Sequence, residues 1–276
     1  MGEKKVSRVV LYAVMVIWLL ISLFPFYWLL VTATRSSAEF FRYPPNMIPG
    51  KMLIENAKAL FSVVDFPQAI RNSLIVCTLK TVSALFFCSL ASFYFAKFRF
   101  PGKKALYGFV IFTMMIPTQL LMIPQLIMMS KLGWVSTLKA LIIPSMIPAF
   151  GIFWMTQFFQ GAVHDDLLNA ARIDGCGTFR LFWNIGLPIG APGLAFLAIH
   201  TFLTSWNDYL WPLIVLNNQK TFTVQVALGQ LQGMHTKTDY GAVMCGSLLA
   251  TLPTVLIFLI CNRFFISGIA AGGVKD

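Results

Sequence analysis

The residue types that most often carry catalysis are present in this chain, but their spacing does not serve it. His164, His200 and His235 are widely separated, and no HExxH pair occurs. No GxxxxGK(S/T) stretch offers backbone amides to a phosphate, and no GxSxG elbow presents a serine. The five cysteines, Cys77, Cys88, Cys176, Cys245 and Cys261, contain no CxxC pair. Set mostly in apolar runs, they read as small buried residues and not as disulfide partners or metal ligands. No catalytic residue, metal site or bound cofactor is expected.

Three polar features stand out instead. Lys80 interrupts an apolar run, where a lysine costs about 2.5–3.5 kcal/mol at a bilayer centre on insertion scales. Either it faces a watery cavity or an acidic partner, or it sits in the outer third and snorkels to the headgroups. Trp206, Asn207 and Asp208 lie in the run SWNDYLWP. An aromatic face can cover the apolar side of a sugar, and Asn and Asp can bond its hydroxyls. The same residues also suit an aromatic belt at a membrane interface. The third feature is the stretch 163–188, VHDDLLNAARIDGCGTFRLFWNIGLP.

That stretch reads as two short helices joined at Gly175-Cys176-Gly177. Asp165 and Asp166 favour the positive end of the first helix. Leu167, Leu168, Ala170, Ala171 and Ile173 supply an apolar face, and Gly175 can take the left-handed conformation that ends a helix. Thr178 is placed to cap a second turn carrying Phe179, Phe182 and Trp183. A polar insert with one apolar face suits a docking surface; it equally suits an amphipathic loop lying on lipid.

The elements that must position these residues are membrane spans. The chain has 276 residues, 58% of them hydrophobic and 11% charged, against about 25% charged in soluble domains. Mean hydropathy is +0.75. The net charge of +11 comes without a dense basic run, so cationic flanks of membrane helices explain it better than nucleic acid does. Six segments approach the ~20 apolar residues that a crossing needs: 9–34, 72–96, 105–130, 140–163, 189–210 and 240–262. The first exceeds the ~7–15-residue core of a signal peptide and is expected to be retained. Pro117 and Pro124 should break the far end of the third. Residues 35–71 form the longest loop, and 212–239 read as a polar excursion. The whole of 1–276 reads as one transmembrane domain.

Six spans put both termini on one side. Overall lysine and arginine numbers barely separate the two faces, but density does. Lys4, Lys5 and Arg8, and the short turn with Lys97, Arg99, Lys103 and Lys104, mark the cytoplasmic side. Both termini and the 163–188 insert are therefore expected in the cytoplasm. No internal repeat is visible, which counts mildly against a two-halved secondary transporter.

Asn169-Ala170-Ala171-Arg172-Ile173-Asp174-Gly175, followed by Ile185-Gly186-Leu187-Pro188, resembles the EAA loop of bacterial ABC-importer permeases. The likeness extends over nearly the whole chain. MIPTQLLMIPQL (115–126), LGWVSTLKALIIP (132–144), SFYFAKFRFPGKK (92–104), WNDYLWPL (206–213) and RFFISGIAAGGVK (263–275) are similar to carbohydrate-importer permeases of the maltose-permease type. The resemblance implies an all-α integral membrane protein of six transmembrane helices with a cytoplasmic coupling helix, the type I ABC importer permease fold. It implies a bacterial cytoplasmic membrane, a second homologous permease subunit, and two cytoplasmic ATPase subunits holding ATP and Mg. It also implies an extracytoplasmic solute-binding protein that delivers a sugar, a di- or oligosaccharide. Carried over, Asp165, Asp166, Asn169, Ala170, Ala171, Asp174, Gly175 and Pro188 form the ATPase-coupling surface, and the tail 272–276 reaches toward the ATPase pair. One departure is clear: Asn169 stands where the family has glutamate, so a neutral hydrogen bond replaces one about twice as strong. The charge is then absent or comes from Asp165, Asp166 or Asp174. Alternatives are a permease for a solute such as glycerol phosphate, whose anion would suit Lys80, and an ion-coupled secondary transporter relaying through Lys80, His200 and Asp208.

Overall fold

The computed structural model describes residues 2–233 and 238–272, with side chains described at residue 8 and over 10–232 and 238–259. His235, the side chain of Cys261 and the tail 273–276 lie outside the described residues. In chain order the helices are α1 (Gly2–Ala33), α2 (Ser37–Phe40), α3 (Leu53–Val63), α4 (Phe66–Lys97), α5 (Lys103–Met114), α6 (Met122–Lys131), α7 (Lys139–Ile142) and α8 (Ala149–Ala162). There follow α9 (Asp165–Ile173), α10 (Thr178–Leu181), α11 (Leu187–Ile189), α12 (Ala191–Trp206), α13 (Leu210–Val215), α14 (Val224–Gly233) and α15 (Tyr240–Gly272). No strand occurs among the described residues.

Four helical stretches are long and apolar enough to cross a bilayer: Val10–Ala33, Phe66–Lys97, Lys139–Ala162 and Tyr240–Leu259. Two bent pairs pass the same test together, Lys103–Met114 with Thr118–Lys131 and Thr178–Ile189 with Ala191–Trp206, giving up to six. Several expected boundaries move. The helix of the second segment starts at Phe66, not 72, because Pro67 fits the first turn, where its missing N–H costs nothing. The third segment breaks before Pro117, with a bend of 92°, while Pro124 is absorbed into the first turn of α6. The fifth begins far earlier than 189 and ends at Trp206, short of 210; its two parts meet at 77°. Between α10 and α11 the chain takes a wider π turn, Phe182–Gly186. Residues 212–239 are not simply a polar excursion, since Pro212, Val215, Leu216, Phe222, Val224, Val226 and Ala227 are buried.

Contact density divides the chain into two units, 1–66 with 227–252 and 67–226 with 253–276. In the first, Asn56 of α3 donates from Nδ2 to the carbonyls of Ala33 (2.9 Å) and Arg35 (2.8 Å), satisfying backbone groups that the end of α1 leaves open. Ser37 donates to Asp239 at 2.5 Å, and Phe40 stacks on Tyr240 at 5.1 Å. These contacts fix the loop after α1 to the start of α15.

The second unit holds two apolar clusters. One gathers Phe93, Phe159, Phe182, Leu168, Leu181 and Leu197. Phe93 meets Phe159 edge-on at 5.5 Å and Phe182 at 5.7 Å. Small residues let these helices approach closely, as membrane helices require: a Cβ on Gly190 would lie 2.6 Å from a Phe159 ring carbon. The other cluster gathers Val76, Met129, Leu141, Trp211, Val215 and Phe222, where Trp211 donates to the Ala140 carbonyl at 3.1 Å. Asn72 pins the segment after α13 to α4 by donating to the carbonyls of Lys220 and Phe222, both at 2.9 Å.

Candidate functional site: a clamped helix and a polar cavity

Helix α9 is the polar element singled out by sequence, and both its ends follow from local chemistry. His164 is extended at the N-cap, with Asp165 and Asp166 in the first turn beside the positive helix end. Gly175 takes φ +81° and ends the helix, a conformation costly to residues with a Cβ. Gly177, not Thr178, occupies the N-cap of α10, with no side-chain cap bond, so the expected threonine cap is not made.

Three contacts hold α9 to the end of α4. Leu168, 1% exposed, enters the Phe93 cluster with Ala171 and Cys176 packed beside it. Lys97 and Asp165 pair at 3.1 Å, and the Arg172 guanidinium lies 5.4 Å from the centre of the Phe98 ring. Opposite that anchor, Leu167, Ala170 and Ile173 face outward, Ile173 being 87% exposed. Of the expected apolar face, then, Leu168 and Ala171 turn inward and the rest turns out. Asn169 is exposed and accepts from Arg172 at 3.0 Å. Asp166, Asp174, Gly175 and Pro188 are also exposed. Asp165 is exposed too but already has a partner within the chain, which leaves Asp166 and Asp174 as the carboxylates of this segment without an ion pair among the described residues.

A cavity of about 400 Å³ lies within the second unit. Lys80 of α4 and Asp208, just past α12, both line it. Their charges act on each other, yet they do not approach within the 4.0 Å of an ion pair. The rest of the lining includes Thr118, Gln125, Ser145, His200, Thr201, Thr204, Ser205 and Trp211. The candidates read from sequence therefore separate. Lys80 and Asp208 share one cavity. Trp206 is 2% exposed, stacks on Phe202 at 5.8 Å and does not line it. Asn207 is exposed and donates to the Leu203 carbonyl at 3.0 Å. The tryptophan at the cavity is Trp211.

Sequence reasoning named His200 and Asp208 but passed over Thr201, Thr204 and Ser205 of α12, and it gave Lys97 and Phe98 no part in holding α9. For the α12 residues a signal existed: His200, Thr201, Thr204, Ser205 and Asp208 recur at helical spacing in an otherwise apolar run. For Lys97 nothing local marks a partner 68 residues away, and nothing local links Phe98 to Arg172.

A model of the family of binding-protein-dependent transport system inner membrane components matches residues 88–269. The chain belongs to that family. It is a permease subunit of an ABC importer. The lactose transport system permease protein LacG of Rhizobium radiobacter is 32% identical over 99% of this chain and 98% of its own length. The arabinooligosaccharides transport system permease protein AraQ of Bacillus subtilis is 33% identical over 93% of this chain and 92% of its own. Among solved structures, a bacterial ABC transporter that imports the acidic polysaccharide alginate matches 96% of this permease with a TM-score of 0.81 and 19% identity. At that identity the match speaks for the fold alone: the permease has the all-α type I architecture, with α9 as its intervening polar helix.

Proposed function

We propose that this permease is one of two homologous subunits of an ATP-driven importer that carries a carbohydrate, a di- or oligosaccharide, into a bacterial cell. The whole chain acts as one transmembrane domain with both termini in the cytoplasm. Two ATPase subunits bind ATP and Mg on that side, an extracytoplasmic binding protein delivers the sugar on the other, and this chain performs no chemistry itself. The observation that carries the reading is the two-sidedness of α9. One face is fixed to α4 through Leu168 and the Lys97–Asp165 pair. The other presents Leu167, Ala170 and Ile173 to an outside partner. A helix rigidly joined to a long span and apolar on its free side is suited to receive motion from a partner and pass it on. The lactose and arabinooligosaccharide names of two relatives support the substrate class.

Cysteine placed at Ala170, in a complex with single cysteines on the ATPase, tests the docking. Crosslinking that rises and falls with ATP is expected, and its absence under every nucleotide condition sinks the coupling role of α9. In proteoliposomes, sugar uptake should require ATP, the ATPase pair and the binding protein. Uptake that persists without the ATPase and collapses with the proton gradient would instead mark an ion-coupled transporter.

A further inference from the structure

The cavity on α4 and α12 contains polar groups that this chain does not satisfy. Thr201 is 7% exposed, lines the cavity, and its hydroxyl has no hydrogen-bond partner. Lys80 is 9% exposed and lines it too, without an ion pair to any described residue. Buried polar groups in folded proteins are ordinarily paired, so an unpaired hydroxyl beside a lysine without an ion pair points to hydrogen-bonding groups supplied from outside. The space itself, about 400 Å³, falls near the lower end of the ~300–1,000 Å³ typical of small-molecule sites.

The lining also indicates the chemistry of the occupant. Lys80 and Asp208 carry opposite charges and no other lining residue is acidic or basic apart from His200, so neither an anion nor a cation is favoured overall. Around them stand hydroxyl and amide groups of Thr118, Gln125, Ser145 and Thr204, which both donate and accept. The Trp211 ring closes one wall, fixed by its bond to the Ala140 carbonyl. Donors and acceptors in quantity, balanced charge and the aromatic rings of Trp211 and Phe150 match a polyhydroxylated ring with apolar C–H faces.

We propose that this cavity is a sugar-binding subsite belonging to this subunit, taking a neutral saccharide unit whose hydroxyls pair with Thr201, Lys80 and Asp208. The proposal rests on the carbohydrate reading above, so its test separates the two.

The complete importer in proteoliposomes is first given labelled neutral di- and trisaccharides, including lactose and arabinotriose, together with glucuronate and glycerol 3-phosphate. If no neutral sugar enters with ATP, the carbohydrate reading falls and this proposal with it. The neutral sugar taken up fastest, and glucuronate, are then offered to the permease–ATPase complex in nanodiscs without binding protein, with contact read by saturation-transfer NMR. Wild type is expected to bind the neutral sugar and not glucuronate. Thr201→Val, which keeps the shape and removes one hydroxyl, should weaken binding about tenfold, the loss of one good hydrogen bond, and Thr201→Ser should restore it. Asp208→Asn, leaving the lysine charge unbalanced, should admit glucuronate. A sugar that is transported but does not bind the nanodisc complex overturns the subsite alone. So does one that binds wild type, Thr201→Val and Lys80→Met equally well. Melting temperatures of each variant complex separate lost binding from lost fold.

Discussion

Replacing Leu168 with alanine should free α9 from α4 while leaving the spans intact. The contributions that hold α9 can be compared one by one. The Asp165 side chain is 76% exposed, and ion pairs of that kind contribute about 0.2–1 kcal/mol. The Arg172–Phe98 contact, on an exposed residue, adds about 0.5–1 kcal/mol. Leu168 is the one side chain of the helix that is fully buried, and truncating a buried leucine costs about 2–5 kcal/mol. The leucine therefore outweighs both polar contacts together. A loss of about 3 kcal/mol in local stability corresponds to roughly a hundredfold rise in opening. Hydrogen exchange on the assembled complex in nanodiscs should show that rise in the amides of α9, with α12 unchanged. On the coupling role proposed for α9, transport per ATP hydrolysed should fall in parallel, because a loosened helix would no longer carry α4 with it. Unchanged exchange in α9 would refute the reasoning and show that the polar contacts are sufficient.

Three further outcomes follow. Gly175→Val should reduce coupling between ATP hydrolysis and transport, at a cost of about 1–2 kcal/mol from the positive φ alone, since a Cβ there meets nothing within 4 Å. Normal coupling ratios in reconstituted vesicles would remove the turn from the mechanism. Gly190→Ala places a Cβ 2.6 Å from the fully buried Phe159 ring and 2.9 Å from the Gly186 carbonyl oxygen, so overpacking of about 1–3 kcal/mol should lower the melting temperature of the purified complex. An unaltered melting curve would mean that the 77° bend opens to make room. Asn169→Glu should leave stability within about 0.5 kcal/mol, because residue 169 is exposed and the new carboxylate pairs with Arg172. Failure to co-purify with the ATPase would show that residue 169 sits in a tight contact.

Much of this fold was legible because membrane segments announce themselves by length and apolarity, and because a few residues have few options. Pro117 could only break its helix, and a glycine following the last helical turn of α9 could take the left-handed form. The bend at Gly190 was less visible. Proline at 188 and 192 suits the first turn of a helix as readily as its end, and the close approach to Phe159 that fixes the glycine comes from a distant segment. The same limit hid the clamp. Lys97 reads as one of several basic residues in a turn, and only tertiary structure brings it to Asp165. Around the cavity, the anomaly at Lys80 and the polar cluster after α12 were each visible, and they were joined with His200 only as relay groups of an ion-coupled transporter, while the cavity they share was not legible. Trp206 drew attention by type, while its neighbour Trp211 has the position.

Helix α4 runs without a break from Phe66 to Lys97. Lys97 meets α9 at one end, and Lys80 stands in the wall of the cavity about 25 Å further along at ~1.5 Å rise per residue. Asp208 lines it from the end of a different helix, which follows α9 along the chain after a glycine turn, a π segment and a 77° elbow and shares the Leu168 cluster through Leu197. The Lys97 contact and the Lys80 wall thus share one unbroken helix, while the Asp208 wall is reached across a packed cluster and an elbow. On the coupling role proposed for α9, a pull there would reach the two sides by different routes, so the cavity would change width as a calliper does when one jaw is fixed to the beam and the other slides.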